Sequence, residues 1–530
     1  MPSPRKSPAD RPWRTGAATG GLPLLGHVIQ LWRRPLEFLA SLPAHGDLVE
    51  LRLGPGRAYL AAHPELVRHI LLSPNDFDKG GIFDKARQLL GNSLSVSRGD
   101  EHRRQRRMIQ PAFHTPRIAE YTNAVGADTR SMTDGWRPGE VRDIGDTMQA
   151  LLMRVAARTL FSTGLDESTV EEARQCLKTI SRGLYRRTIA PLGVVDRLPT
   201  PGNREYAHAN TRLRAIVAEM IARQRREERE RGVERASEER EGGADRRAEC
   251  PHGDGPRGDG AEQDSARGPG AAEDRACEHG AAETGAAGNS AREHRAGGPG
   301  AGDGDESGGD DLLSVLLRAR HPDTGARLSD REILDQVITF LVAGSETTAA
   351  TLAFVFHLLG TAPEIEKRVH AEIDASLGGR PPRHADLPTL PYTRNVITEA
   401  LRLYPPSWMA MRVAARDTEL GGRPIPAGTM IFYSAYAIHR NPEIFPDPDA
   451  FDPDRWEGER AAQVPRGALL PFGAGVHKCI GDVLALTETA LIVATVAARW
   501  RLRPVSGTRL RPEPRATLEP GPLPMICERR

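Results

Sequence analysis

One segment of the chain has a composition that keeps it out of any hydrophobic core. Residues 234–311 contain no Val, Ile, Leu, Met, Phe, Tyr or Trp and consist mainly of Gly, Ala, Glu, Asp, Arg and Pro. Such a segment cannot bury enough apolar surface to offset the entropy that ordering would cost. The sequence predicts a disordered insertion over residues 234–311, either a tolerated loop expansion or a regulatory, partner-binding segment. The rest predicts one domain over residues 21–530, after a disordered N-terminus at residues 1–20.

Charge and cysteine content narrow the class of protein. The chain carries 72 basic and 71 acidic side chains, a formal net charge of +1, so the balance does not favour nucleic acid or an anionic membrane as a partner. Its five cysteines lack the spacing of a disulfide framework or a metal cluster, which indicates a reducing, cytoplasmic location. The N-terminus has no apolar run near the roughly 20 residues that span a bilayer, so no membrane anchor is expected.

Hydrophobic patterns predict a mostly α protein with small β-sheets. Residues 49–53 and 58–60 alternate apolar and polar side chains around a Gly-Pro-Gly turn, which is typical of a β-hairpin. Amphipathic patterns predict helices within residues 117–136, 143–161 and 203–231. The balance of elements therefore favours helices over sheets.

Capping patterns frame a long apolar helix after the insertion. Residues 310–314 (DDLLS) indicate a helix start, and Ser329 with Glu332 forms a capping-box pattern before an apolar run that ends near Leu359. Residues 361–364 (TAPE) repeat the pattern with proline at the first helical position. We therefore expect two successive helices with a boundary near residue 362.

Ten residues, 472–481 (FGAGVHKCIG), surround Cys479 with glycines and cationic side chains. Glycines such as Gly473 let the backbone turn tightly and approach a flat ligand that a side chain would hold off. Amide groups and nearby cations favour the thiolate form of a cysteine. A thiolate on a tight loop suits an axial ligand of heme iron where an O–O bond must break. The alternative, a buried structural cysteine, does not account for this combination of residues.

This loop resembles the cysteine-ligand loop of the cytochromes P450. The resemblance implies the cytochrome P450 fold, mostly α with small β-sheets, and heme b as cofactor. It implies that Cys479 binds the heme iron and that Phe472 and Gly473 contact the cofactor. The resemblance extends from about residue 21 to residue 525, apart from the insertion.

The long apolar helix carries polar residues at its centre, residues 343–348 (AGSETT). Gly and hydroxyl side chains are locally unfavourable there, so the segment indicates either close packing at Gly344 or a kink that opens a groove. It resembles the oxygen-binding segment of the cytochromes P450. That resemblance implies that Glu346 and Thr347 are the catalytic acid–threonine pair that delivers protons during oxygen activation.

Glu399 and Arg402 lie three residues apart on one predicted helix face. By themselves they would be a surface ion pair of little energetic value. Arg455 follows in FDPDRW, ahead of the cysteine loop. This order resembles the Glu-Arg-Arg arrangement of the cytochromes P450, which implies a structural role for the three residues.

Four basic side chains are candidates to pair the two heme propionates, which a mostly apolar pocket must neutralise. His102 and Arg106 lie on one helix face, Arg412 follows a proline turn, and His477 stands two residues before the cysteine. The resemblance implies that all four contact the cofactor. The other arginines within residues 103–107 indicate a solvated basic face, a nucleic-acid patch or a dock for an acidic electron donor.

The resemblance implies a monooxygenase that inserts one atom of O2 into an apolar small molecule. Neither a dinucleotide fingerprint nor a cysteine cluster is present, so separate redox partners, a ferredoxin and its reductase, are expected. The implied pocket residues, among them Leu89, Phe340, Trp408 and Met411, are apolar. The N-terminal half resembles bacterial members that oxidise sesquiterpenes, which favours a terpene substrate, with fatty acids, steroids and polyketides as the alternatives. The alternatives are a peroxide-driven peroxygenase and a non-catalytic heme-binding sensor or partner-recruiting protein.

Overall fold

The structure, a computed structural model, describes residues 12–161, 166–189, 200–248, 311–321 and 323–530. The chain divides into two compact units, one formed by residues 1–227 with 309–530 and the other by residues 228–308. All the predicted site residues lie in the first unit. Of the second unit the structure describes residues 228–248, which are helical.

Helices dominate the described residues. They are α1 (Val28–Arg33), α2 (Pro35–Ser41), α3 (Pro64–Leu72), α4 (Gly81–Leu90), α5 (Gly99–Ile109), α6 (Thr115–Thr122), α7 (Val125–Asp134), α8 (Ile144–Leu160), α9 (Glu167–Ile189), α10 (Pro201–Ala248), α11 (Leu312–Arg318), α12 (Asp330–Thr361), α13 (Pro363–Leu377), α14 (Pro391–Leu403), α15 (Ala435–Ile438), α16 (Gly458–Gln463) and α17 (Asp482–Ala497).

The strands are short. They are β1 (Thr15–Ala17), β2 (Leu48–Leu53), β3 (Gly56–Ala61), β4 (Phe77–Asp78), β5 (Val141–Asp143), β6 (Ala410–Ala414), β7 (Thr418–Leu420), β8 (Arg423–Ile425), β9 (Met430–Tyr433), β10 (Trp500–Pro504), β11 (Glu513–Pro514), β12 (Leu518–Glu519) and β13 (Pro524–Arg529). The largest sheet has the order β1-β2-β3-β9-β6-β4, and a second has the order β10-β13-β5. β7 with β8 and β11 with β12 form two-stranded sheets. The predicted class, mostly α with small sheets, is confirmed.

The predicted hairpin lies inside the largest sheet. β2 and β3 pair antiparallel, with Leu48 opposite Ala61 and Leu53 opposite Gly56. Gly54 at the turn has a φ of 64°, in the left-handed region that favours glycine. β3 pairs parallel with β9, and β9 pairs antiparallel with β6. The hairpin thereby supports β6, the strand that carries Arg412.

α12 is a central helix of the first unit and packs against α8, α14, α17 and β10. Its predicted capping box is present, since Ser329 Oγ accepts from the Glu332 N–H at 3.3 Å and Glu332 Oε2 accepts from the Ser329 N–H at 2.7 Å. Among the described helices α12 alone has the length and apolar composition of a membrane span. Because 67% of its most apolar window is buried inside the protein, it is built as a core helix.

Two sequence predictions need correction at helix ends. Thr361 does not cap α13: it is the last residue of α12 and its hydroxyl donates to the His357 carbonyl, while Ala362 precedes Pro363 without a side-chain cap. The predicted insertion begins too early, because α10 continues through residues 234–248. Charged residues and alanine sustain helix there without apolar side chains. The predicted insertion also ends too late, because Asp311 is the buried N-cap of α11. Residues 249–310 lie outside the described residues, as do residues 1–11.

The predicted Glu-Arg-Arg arrangement is a buried network and not a surface pair. Both Arg402 and Glu399 are fully buried, and two Arg402 nitrogens donate to the Glu399 carboxylate at 2.8 and 2.9 Å. Arg402 also donates to the carbonyls of residues 439, 448 and 450. Arg455 Nε lies 3.4 Å from Glu399, and Trp456 Nε1 donates to it at 2.9 Å. The network fixes the irregular chain that leads to the cysteine loop.

Candidate functional site

The cysteine loop contains a short helical turn at Gly475–His477 and ends at the start of α17. Gly473 and Gly475 have φ values of 67° and 68°, which strongly favour glycine. A Cβ on Gly475 would clash with the Leu71 carbonyl at the end of α3, whereas one on Gly473 would meet no atom within 4 Å. The Cys479 N–H donates to the Phe472 carbonyl at 2.9 Å. The loop therefore packs tightly against the end of α3 at Gly475, whereas no protein atom packs against Gly473.

Burial decides the protonation of the loop cysteine. Although the Cys479 side chain is accessible on one side, desolvation by the surrounding protein raises the pKa of its thiol, and Asp482 raises it further. The Gly481 amide, Arg106 and Lys478 lower this pKa, but by less. The amide group and the cations therefore act in the expected direction, but burial outweighs them. A bound metal ion would favour the thiolate, because a metal ion deprotonates a coordinating thiol.

The four predicted propionate partners are brought together around the loop. His477 Nδ1 lies 3.3 Å from His102 Nε2 on α5, and Arg106 Nη1 donates to the Lys478 carbonyl at 2.7 Å. Arg412 on β6 is buried. Burial, then Lys79 among the neighbouring charges, lowers the pKa of His102 to about 4 and that of His477 to about 3. Both histidines are therefore neutral near pH 7.

Lys79 is a fifth member of this group, and sequence reasoning missed it. Its ammonium is buried and donates to the carbonyls of residues 94, 95 and 97 at 3.2, 2.8 and 2.9 Å. Burial, followed by the charge of Arg412, lowers the pKa of Lys79 to about 7. A single lysine between Asp78 and a pair of glycines carries no signal in the sequence. Only the fold shows that it is enclosed.

Within the described residues, these five basic side chains form no ion pair with a carboxylate. The positive charge of the cluster comes from Arg106 and Arg412, with Lys79 when it is protonated. Uncompensated positive charge such as that of the buried Arg412 is unfavourable, so the cluster favours an anionic ligand. Heme would meet this requirement, since its two propionates would pair with the basic side chains and Cys479 would bind its iron. The residues present therefore fit heme with its two propionates.

The arginines beside the cluster are already paired with carboxylates. Arg103 pairs with Asp100, Arg104 with Glu101 and Glu332, and Arg107 with Asp323. A nucleic-acid patch needs basic side chains that are free to neutralise phosphates. These pairs therefore disfavour the nucleic-acid interpretation of residues 103–107 and favour a solvated, mixed-charge face.

α12 stays α-helical through its polar centre. Thr347 Oγ1 donates to the Ala343 carbonyl at 2.6 Å. The hydroxyls of Ser345 and Thr351 likewise donate to the carbonyl of the residue four positions earlier. A Cβ on Gly344 would meet no atom within 4 Å, so the close-packing interpretation of that glycine is wrong. The missing side chain instead leaves open space beside Thr347. Small molecules can occupy this space without displacing side chains.

Glu346 points away from that open space into the protein. It is buried, and the hydroxyl of Ser181 on α9 donates to its carboxylate. Burial raises the pKa of Glu346 to about 7, with the charge of Glu519 adding to the effect and Ser181 and Arg515 opposing it. An acid with a pKa near the working pH can both give and take a proton. Ser181 carried no signal in the sequence.

The predicted pocket residues fall into two packed groups. Leu89 belongs to a cluster against which Phe340 packs, and Phe340 meets Phe113 with ring centroids 5.4 Å apart. Trp408 and Met411 belong to a second cluster. The aromatic and aliphatic character of both groups agrees with an apolar ligand.

A mostly helical fold, a cysteine on a glycine loop and a carboxylate-free basic cluster define a heme-thiolate protein. The sequence model of the family named Cytochrome P450 matches residues 18–245 and 295–526. The chain therefore belongs to the cytochrome P450 family. Its cofactor is heme b with a cysteine thiolate as axial ligand.

Full-length relatives agree with this assignment. The chain is 63% identical to cyclooctat-9-en-7-ol 5-monooxygenase of Streptomyces melanosporofaciens, over 100% of this chain and 98% of the relative. It is 42% identical to cyclooctatin synthase of the same organism, over 99% and 98%. It is 37% identical to pentalenene oxygenase of Streptomyces avermitilis, over 95% and 94%. The protein is an oxidoreductase that incorporates molecular oxygen.

A solved structure supports the fold independently. The crystal structure of the cytochrome P450DA heme domain superposes with a TM-score of 0.74 at 22% identity, covering 98% of this chain and 99% of that chain. The expected cytochrome P450 fold is confirmed.

Proposed function

We propose that this monooxygenase hydroxylates a polycyclic terpene, and that cyclooctat-9-en-7-ol is its substrate or a close analogue of it. The observation that carries the proposal is the 63% identity to cyclooctat-9-en-7-ol 5-monooxygenase over nearly the whole of both chains. The relatives at 63%, 42% and 37% identity each have a name that refers to a terpene. The apolar clusters around Phe340 and Trp408 suit such a substrate.

Each predicted site residue has a role in this proposal. Cys479 would be the thiolate ligand of the iron, and Phe472 and Gly473 would contact the porphyrin ring. The propionates would be held by His102, Arg106, Arg412 and His477. Lys79 joins that group. Heme b, when bound, supplies the oxygen activation and electron-transfer chemistry.

The protein's own contribution on the oxygen side is proton handling. Thr347 presents its hydroxyl beside the open space at Gly344, anchored by its bond to the Ala343 carbonyl. Glu346, whose pKa lies at about 7, holds a proton near neutral pH. We assign Glu346 as the acid of the proton path and Thr347 as its hydroxyl.

Electrons come from separate proteins in this proposal, a ferredoxin and its reductase, and the enzyme is cytoplasmic. The reasons are the absence of a recognisable flavin or iron–sulfur motif in the sequence and the burial of α12 inside the protein.

A substrate-binding titration tests the proposal. Cyclooctat-9-en-7-ol should shift the ferric heme toward high spin at micromolar concentration, and pentalenene should do so more weakly. With isotopically labelled O2 and a ferredoxin–reductase pair, the product should gain one labelled oxygen. Product from peroxide alone at an equal rate would favour a peroxygenase instead. No product under either condition would favour a non-catalytic heme protein.

A further inference from the structure

The α4–α5 loop, residues 91–98, is bound through its backbone to two side chains of α12. The Asn92 N–H donates to Asp335 Oδ2 at 2.8 Å, and the Leu94 N–H donates to Gln336 Oε1 at 3.1 Å. Both of these α12 side chains are buried. Backbone amides that are removed from water need such partners, so the path of the loop depends on two adjacent residues of α12.

Two further contacts restrict the loop. Buried Gln105 on α5 donates from Nε2 to the Asn92 carbonyl at 2.7 Å, and its Oε1 accepts from Gln336 Nε2 at 3.0 Å. Gly91 has a φ of 56°, and a Cβ there would clash with the carboxyl group of Asp335. The first residue of the loop therefore lies directly against this carboxylate, with no room for a side chain between them.

Arg214 of α10 binds the same carboxylate. Its Nη1 and Nη2 donate to Asp335 Oδ1 at 3.0 and 2.6 Å, whereas Asp335 Oδ2 accepts from the Asn92 N–H. The Asp335 side chain is 1% exposed and that of Arg214 is 26% exposed. A further bond joins α10 to α4, since Asn210 Nδ2 donates to the Gln88 carbonyl at 3.1 Å. One buried carboxylate thus holds α10 and the α4–α5 loop together on α12.

The α4–α5 loop borders the proposed substrate pocket. Leu94 belongs to the same buried cluster as Leu89 and as Leu213 of α10, and Phe340 packs against this cluster. The carbonyls of residues 94, 95 and 97 accept from Lys79, which belongs to the basic cluster. The loop therefore contacts the apolar residues on one side and the basic cluster on the other. A shift of the loop relative to α12 would change the shape of the pocket.

We propose that Asp335 is a positioning residue that determines which carbon of the substrate is hydroxylated, because it fixes the α4–α5 loop and α10 in one position relative to α12. Gln336 assists it through the Leu94 N–H. This inference rests on the proposed function, in which the apolar pocket binds a terpene. A mostly apolar molecule offers few hydrogen bonds, so the walls of the pocket decide its orientation. A buried polar network whose members are all bonded selects one arrangement where apolar packing alone permits several.

Two variants loosen the loop in different ways. Asp335→Asn keeps the shape of the side chain but has a single acceptor oxygen and no charge, so it cannot serve Arg214 and the Asn92 N–H as the carboxylate does. Gln336→Leu keeps a similar size and leaves no buried charge unpaired, but lacks the acceptor for the Leu94 N–H. The second variant decides the question if the first does not retain heme.

Asp330 provides a matched control. It also lies on α12 and pairs with an arginine of α10, since Arg225 Nη2 lies 2.6 Å from Asp330 Oδ1. The distance equals that between Arg214 and Asp335, but the Asp330 side chain is 75% exposed. Among the described residues Asp330 makes no hydrogen bond to the α4–α5 loop. Asp330→Asn therefore removes an ion pair between the same two helices and leaves the loop contacts complete.

The first test measures the position of the loop without turnover. Hydrogen exchange of the holoenzyme is followed by mass spectrometry in peptides that cover residues 91–97. Asp335→Asn and Gln336→Leu should each raise the exchange rate of this segment, on the order of tenfold in Asp335→Asn, because the loop amides lose acceptors. Asp330→Asn should leave it unchanged.

The second test measures the pocket with two heme ligands that are not terpenes, imidazole and 4-phenylimidazole, by absorbance titration. A loosened wall must be ordered again when a large ligand binds, so Asp335→Asn and Gln336→Leu should weaken 4-phenylimidazole binding about fivefold. Imidazole is too small to need that wall, so its affinity should stay the same in every variant. Asp330→Asn should bind both ligands as the unaltered enzyme does.

The third test measures the ratio of hydroxylated isomers formed from cyclooctat-9-en-7-ol. Asp335→Asn and Gln336→Leu should raise the proportion of minor isomers, whereas Asp330→Asn should keep the original ratio. A loss of stability alone would lower the rate but leave the ratio unchanged, because unfolded molecules form no product.

The outcomes separate this inference from the proposed function. An unchanged isomer ratio in both Asp335→Asn and Gln336→Leu overturns the positioning role, as does unchanged exchange in residues 91–97. If the unaltered enzyme leaves the terpene unreacted, the proposed substrate is wrong. The two azoles then still decide whether Asp335 fixes the wall of the pocket, and equal 4-phenylimidazole affinity in Asp335→Asn and the unaltered enzyme would show that it does not.

Discussion

His477 Nδ1 lies 3.3 Å from His102 Nε2, and the two rings meet edge to face with centroids 4.3 Å apart. The residues are 375 positions apart in sequence. Because both have strongly lowered pKa values, both are neutral near pH 7, so one ring nitrogen donates and the other accepts. This contact joins the cysteine loop to α5, which carries Arg106 as well. The basic cluster is therefore assembled as a unit.

Cys479→Ser should abolish thiolate ligation. A thiolate shifts the Soret band of the reduced carbon-monoxide complex to longer wavelength, and a serine hydroxyl cannot replace its electron donation. Absorbance spectra of the dithionite-reduced complex measure this. Cys176→Ala, at a buried cysteine in another part of the fold, should keep the shifted band. Persistence of that band in Cys479→Ser would mean that another residue binds the iron.

Thr347→Ala should bind heme and substrate normally but make less product per electron consumed. The loss of the hydroxyl beside the space at Gly344 interrupts proton delivery, so hydrogen peroxide is released instead. Peroxide and product are measured at matched electron input. Thr351→Ala is the control, because Thr351 makes the same bond to the carbonyl four residues back, at 2.9 Å, from a buried position. Equal coupling in both variants would remove Thr347 from the proton path.

Arg402→Lys should lower the free energy of unfolding by about 3 kcal/mol and reduce heme retention. Lysine cannot reproduce the fork to Glu399 together with bonds to three carbonyls, so buried polar groups lose partners. Urea denaturation monitored at the heme and by circular dichroism measures both effects. Arg368→Lys, at an exposed pair with Asp454 at 2.8 Å, should cost no more than about 1 kcal/mol. Similar losses in the two variants would argue against the buried network as the source.

Glu488→Gln should remove part of the pH dependence of stability. Burial raises the pKa of Glu488 to about 8 from an ordinary value of 4.5. Between these values the folded protein binds a proton that the unfolded chain releases, so stability falls as pH rises, by up to about 1.4 kcal/mol per pH unit. Gln stays neutral and lacks this loss. The free energy of unfolding is measured for both proteins from pH 5 to about 8. The difference between them should change in favour of the variant as the pH rises. Parallel curves would contradict the assignment.

Deletion of residues 234–310 behind a short flexible linker should leave heme content and melting temperature nearly unchanged, since the segment has no large apolar side chain for the core. Asp311 should be retained. Its carboxylate caps α11 by accepting from the Ser314 N–H at 2.6 Å, and Gln224 donates to it at 2.9 Å. Extending the deletion to residue 311 should therefore cost about 1 kcal/mol more. Loss of heme in the shorter deletion would refute the predicted dispensability of the insertion.

Much of the site was predictable because its signals are local. The positive φ angles of Gly473 and Gly475, the Ser329 capping box and the helical spacing of His102 and Arg106 follow from residues that are close in sequence. The family resemblance added the roles of Cys479, Glu346 and Thr347. The end of α10 was mispredicted because helix propensity in a charged segment needs no apolar residues.

Tertiary structure decided the burial and the distant pairings. Nothing near Lys79 in sequence shows that its ammonium is enclosed by carbonyls, and nothing near Ser181 shows that it reaches Glu346, 165 residues away. The approach of Glu519 to α12 depends on how the C-terminal hairpin packs. Local backbone preference is encoded by neighbours along the chain, so the sequence alone determined the cysteine loop, the Ser329 cap and the helical spacing of His102 and Arg106. Solvation and charge coupling depend on which surfaces the folded helices exclude from water. Only the three-dimensional packing determines those surfaces.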